Sequence, residues 1–276
     1  MERNTIWVCG VVVLWAAGGT RAADPPGLVT RKTDRGTIVG YKDTPKMPWT
    51  GDRYCVHDPD RPAPGIVSPA PVGKERKMNA APSDAIKLFD GTDLTQWKPS
   101  SWTLKDGYVQ AGEGSLETIV AFGSFQLHLE WAAPTEPASR FMSRGNSGVL
   151  LMGVYEIQVF DSWCGHERQI YPDGQAASVY GQTPPRVNVC RAPGEWQSFD
   201  IVFTAPEFRD GKIVRRPTVT VFHNGVLVHL NQEIYGPMAH RVILPNKPHP
   251  AKLPLSLQGH GSPVRYRNVW LRPLDG

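Results

Sequence analysis

The sequence has no run of twenty apolar residues, no C-x-x-C pair, no block of like charge and no stretch of sustained helical period. Each absence excludes something. A membrane-spanning helix needs about 20 apolar residues in succession, so insertion into a bilayer is not expected. Structural zinc sites need Cys and His at short, regular spacings, and those spacings are missing. Lys and Arg total 30 against 26 Asp and Glu, a net charge of +4 spread along the chain, which gives nucleic acid no basic stripe to bind. Without a 3.6-residue apolar period, helical bundles and α/β folds lack their elements.

The amino terminus carries a targeting signal. Arg3 is followed by the apolar segment from Ile6 to Gly18 and by Thr20-Arg21-Ala22, with small residues at the −3 and −1 positions of a cleavage site. Residues 1–22 are therefore expected to be a signal peptide, and the protein to be exported to the periplasm or beyond. Cys9 lies within the apolar segment and lacks a lipobox context. Export permits disulfides, and three cysteines follow the leader. Cys164 and Cys190 flank one loop region and are expected to pair, leaving Cys55 over.

Residues 23–83 show no sustained periodicity. Seven prolines between Pro45 and Pro71 leave little room for a helix or a central strand, so an irregular extension is expected, partly wrapped on the main domain. Trp49, Tyr54, Val56 and Ile66 are its candidates for docking. From residue 84 the pattern changes to short alternating runs separated by turns. Phe125, Leu127, Leu129 and Trp131 alternate with Gln126, His128 and Glu130, and Asn224-Gly225 marks a type I′ hairpin. Many short strands and no helices predict an all-β jelly-roll sandwich over residues 84–276.

One stretch, from Asn146 to Trp163, stands out. It reads as two strands joined near Gly153. Tyr155, Ile157 and Val159 point to one face, Glu156 and Gln158 to the other. A carboxylate and a carboxamide side by side, with Arg144, Asn146 and Asp161 close in sequence, furnish a sheet face for a polyol such as a sugar. Residue type alone would also fit an ordinary solvent-facing strand.

Eight segments together resemble a known family. They include Leu88-Phe89-Asp90-Gly91, Gly145-Asn146-Ser147-Gly148, Tyr155-Glu156-Ile157-Gln158, Tyr180-Gly181, Gly194-Glu195-Trp196 and Leu257-Gln258-Gly259-His260-Gly261. In this order they resemble the 3-keto-disaccharide hydrolases, from about Ala85 to Leu274. The resemblance implies a concanavalin-A-like sandwich whose concave sheet is the sugar site, and cleavage of glycosides oxidised at C3.

A C3 ketone acidifies the C2 proton, so a base can remove it, the C1 group can leave, and water can add. On that reading Glu156 is the candidate base, Asp161 a second carboxylate and His260 an acid/base or enolate ligand. Arg144, Asn146, Gln158 and Gln258 are candidate substrate-binding donors, and Trp163 the aromatic for stacking on a sugar ring. His128 and Glu130 could join the floor. Asp161 could equally be an acceptor for loop amides. The sequence requires no cofactor; a divalent cation held by Glu156, His260 and an oxygen ligand would suit an enolate. Two-carboxylate hydrolysis and a non-catalytic carbohydrate-binding module remain as alternatives.

Overall fold

The computed structural model describes residues 24–70, 80–135 and 143–275, so the leader lies outside the described residues. Two antiparallel sheets form the expected all-β sandwich. The smaller runs in the order Tyr155–Val159, Ser147–Leu151, Leu253–Leu257, Leu116–Phe122. The larger has eight strands, with Phe125–Ala132 held between Gln197–Thr204 and Arg265–Pro273. Strict alternation drives this pairing. Phe125, Leu127, Leu129 and Trp131 of the large sheet meet Tyr155, Ile157 and Val159 of the small one in a single core, all nearly inaccessible. Asn224 and Gly225 both adopt positive φ, and His223 pairs directly with Val226, as a two-residue type I′ loop requires.

The outer faces depart from the simple expectation. Every residue of Ser147–Leu151 and Tyr155–Val159 is buried, on both faces. Something therefore covers the polar side of the small sheet. Part of the cover is the extension, which is more regular than its prolines suggest. Val29–Thr33 and Gly36–Gly40 form a hairpin, and Gly36–Gly40 is the central strand of a three-stranded sheet with Arg168–Ile170. The prolines from Pro45 onward all follow this hairpin, so they never bore on it. Gly65–Ile66 adds a second parallel pairing, with Val187–Asn188.

Of the expected docking residues, Val56 is fully buried and Trp49 stacks on Tyr235 at 4.6 Å between ring centroids. The Ile66 side chain is exposed. Arg61 donates to Gln182 O at 2.7 Å, and His57 N donates to the buried Asp173 carboxylate at 3.0 Å.

The expected Cys164–Cys190 bridge does not form. All three described cysteines are free, with Cys55 and Cys190 buried and Cys164 exposed. Cys190 Sγ faces Phe160 O and Arg191 O instead.

Candidate functional site

The site is built on the outer face of the small sheet. Glu156 pairs with Leu150 and Gln158 with Gly148, so these four share that face, with Asn146 in the same parity just before the strand. Segment 177–180 adds to the sheet edge: Ile157 bridges Val179, Gln158 N donates to Ser178 O at 2.9 Å, and Tyr180 N donates to Glu156 O at 3.1 Å. That register sets Tyr180 opposite Glu156. A cavity of about 410 Å³ opens above, lined by Asn146, Glu156, Gln158, Gln258 and His260 on one hand and by Tyr41, Tyr171, Tyr180 and His240 on the other. Its size suits one or two sugar rings.

Glu156 is 5 % exposed, and its burial raises its carboxyl to a pKa of about 8. The solvent-facing carboxylate expected from the strand pattern is thus a sequestered one. Turned with its nitrogen toward Ser147 O (2.8 Å) and Glu156 Oε1 (2.9 Å), the Gln158 amide donates to both. The opposite orientation offers only a 3.4 Å bond to Asn146 Oδ1, so the first is preferred. Gln158 then holds Glu156, and as a donor to its carboxylate it opposes part of the rise that burial causes.

The tyrosine wall escaped the sequence reading. Tyr171 and Tyr180 hydroxyls lie 3.1 Å apart, and Tyr180 continues to His240 Nδ1 at 3.0 Å. Below them the extension inserts His57, whose ring stacks on Tyr171 at 3.9 Å and whose backbone takes φ +61°. Tyr180-Gly181 was visible as a motif, but nothing local tied it to Glu156. Tyr41 comes from the extension and carried no signal at all.

Three of the expected site residues go elsewhere. Asp161 accepts from His166 Nε2 at 2.8 Å and from Trp163 N at 3.2 Å, with Arg144 Nε 3.5 Å away. Arg144 donates to Asp161 O and to Arg168 O. These bonds tie down the loop between the site strand and Arg168–Ile170, the loop-amide role for Asp161. Trp163 packs edge-on with His166 within the same loop. None of the three lines the cavity.

His128 and Glu130 are not in the floor either, because their strand belongs to the large sheet. There His128 Nδ1 meets Asp200 Oδ1 at 2.6 Å and Glu130 pairs with Arg267 at 2.7 Å. His260 does line the cavity. Its neighbour Gly259 is needed for packing: a Cβ there would strike the Gly112 and Gly114 carbonyls, so the close approach is to protein and not to ligand.

The fold and site define a β-sandwich with a covered, amide-rich cavity and one buried carboxylate. Residues 84–272 match the 3-keto-alpha-glucoside-1,2-lyase-like domain, and the chain belongs to that family. A structure from Parabacteroides distasonis, provisionally named a glycosyl hydrolase, is similar at 39% identity and TM-score 0.67, covering 77% of this chain and 93% of its own. Another from the same organism, named likewise, matches at 22% identity and TM-score 0.50 over 69% of this chain and 99% of its own, a likeness of fold. Comparison with curated proteins returned no match.

Proposed function

We propose that this protein is an exported enzyme that cleaves 3-keto-glycosides or 3-keto-disaccharides by C2-proton abstraction, elimination and hydration, with Glu156 as the base. The observation that carries the reading is the state of Glu156, a carboxyl raised to about 8 by burial in a sugar-sized cavity. Carbon acids need a strong base, and a base works best with its pKa near the working pH. Asn146, Gln158 and Gln258 supply amides for sugar hydroxyls, and His260 stands in the lining as the acid for the departing oxygen.

Two-carboxylate hydrolysis fits less well. It needs a second acid across the scissile bond, and Glu156 is the one carboxylate among the described residues of the lining. A binding module needs no buried, proton-poised carboxyl, which costs stability without adding affinity.

Among the described residues no three His, Cys, Asp or Glu side chains gather to hold a metal ion. A cation beside Glu156 and His260 would draw on the amide oxygens of Asn146 and Gln258 and on water. Incubating the protein with 3-keto-glycosides and their unoxidised parents tests the proposal. Release of the aglycone from the keto forms alone is expected. Cleavage of the parents, or of neither, overturns it.

A further inference from the structure

We propose that Tyr180 is a catalytic residue, its hydroxyl donating the hydrogen bond that holds the C3 oxygen of the substrate as the enolate forms, with Tyr171 positioning it. This rests on the C3-ketone reading above.

The argument begins with register. Residues directly opposite in an antiparallel pair project on the same face about 5 Å apart at Cβ. The Ile157–Val179 bridge puts Glu156 and Tyr180 in that relation, and both line the cavity. The atoms they would address are matched: C2 carries the proton, and the C3 oxygen is two bonds from C2. A base and an oxyanion donor one strand apart suit such a fragment.

The hydroxyl is also prepared for donation. Either hydroxyl can donate across the 3.1 Å contact between Tyr171 and Tyr180; when Tyr171 does, the Tyr180 oxygen keeps its own proton to give. The Tyr180 hydroxyl also meets His240 Nδ1 at 3.0 Å, and with that ring nitrogen as the acceptor the same proton can turn to substrate. Burial raises the phenol well above its ordinary pKa, and the Tyr171 bond opposes that only in part; the neighbouring Glu156 charge pushes it further up. Tyr180 therefore remains a neutral donor while Glu156 is ionised. Tyr171 is itself fixed, 1 % exposed between the rings of His57 and Tyr41.

The step balances without an added reagent. Glu156 takes the C2 proton, the C–H electron pair forms C2=C3, and the carbonyl pair moves to the C3 oxygen, where Tyr180 donates. The enolate then reforms C3=O, C1=C2 forms, and the C1–O bond breaks with a proton passing to the leaving oxygen. Addition of water across C1=C2 completes hydrolysis.

The test uses full-length protein and a 3-keto-glycoside, with two readouts: aglycone release, and exchange of the C2 proton for deuterium in a 3-keto sugar lacking a leaving group at C1. Tyr180→Phe is expected to lower kcat and the exchange rate together, by about 10²–10³, the usual effect of losing one oxyanion donor, with KM changed little. Tyr171→Phe should lower both about tenfold. Unchanged exchange in Tyr180→Phe, or a rise in KM alone, overturns the proposal while leaving the C3-ketone reading intact. Wild-type protein that neither cleaves nor exchanges overturns both.

Discussion

Gly148 leaves open the space that the Glu156 side chain fills. A Cβ on Gly148 would lie 2.9 Å from Glu156 Cδ and 3.0 Å from Cγ, and closer still to Oε1. The carboxyl packs over the neighbouring strand because that strand has no side chain there; buried without a cationic partner, it keeps its proton to higher pH.

Gly148→Ala should therefore displace Glu156 and lower turnover by about 10²-fold or more, the usual worth of a misplaced base. The added methyl costs about 1–3 kcal/mol where packing is tight. Circular dichroism should show the sandwich intact. Wild-type turnover in the variant would mean that the observed carboxyl position does not matter.

Glu156→Gln should abolish most turnover and, unlike an exchange on an open sheet face, should change stability with a definite pH dependence. The folded carboxyl titrates near 8 and the unfolded one near its ordinary 4.5. Between those values the folded state holds a proton that the unfolded state releases, so wild-type stability falls as pH rises from about 4.5 through 8, by a few kcal/mol in order of magnitude. The glutamine variant should melt higher than wild type at pH 8–9 and nearly together with it below pH 4.5. Thermal scans across that range check the sign.

The His128–Asp200 pair predicts a second titration. Burial alone would lower the imidazole, but Asp200 and Glu130 outweigh it and hold His128 at about 8. Stability from this pair is fully present below the unfolded value of about 6.5 and is lost as pH rises through 8, a contribution of about 2 kcal/mol. Asp200→Asn should destabilise at pH 6, leave pH 9.5 nearly unchanged, and lower the His128 titration seen by proton NMR.

A chain beginning at residue 84 should still fold with a cooperative melt, since the main core is built wholly from Leu88 onward. It should lose turnover, because Tyr41 leaves the cavity wall and His57 no longer backs Tyr171. Full activity in that chain would show that the extension takes no part in the site.

Thiol labelling should distinguish the cysteines. Cys164 should react in the native protein, and Cys55 and Cys190 only after unfolding; burial pushes the Cys190 thiol up as well as hiding it. A non-reduced digest containing a Cys164–Cys190 peptide pair would contradict the free thiols seen here.

The sequence by itself determined what depends on local periodicity and turn chemistry. Alternation in Phe125–Ala132 and Tyr155–Val159 assigned core and polar faces correctly, since one residue of slip would invert every side chain. Asn224-Gly225 placed its hairpin because few residue pairs tolerate two positive φ angles in succession. Glu156, Gln158, Asn146, Gln258 and His260 came together as expected, all within or beside three neighbouring strands of the small sheet.

Tertiary structure decided the rest. Alternation tells which face a side chain takes but not what lies over that face, so the burial of Glu156 and its raised pKa were invisible. Parity likewise could not tell one sheet from the other, and His128 and Glu130 went to the large sheet with their strand. Asp161 and Arg144 were close to Glu156 in sequence, yet the chain turns beyond Val159 and spends them on its own loop. Tyr180, 24 positions away, and Tyr41, 115 positions away, reach the cavity only through a bridge to Ile157 and a parallel pairing with Arg168–Ile170. Such long-range pairings are set by the global packing of apolar surface, and no local pattern records them.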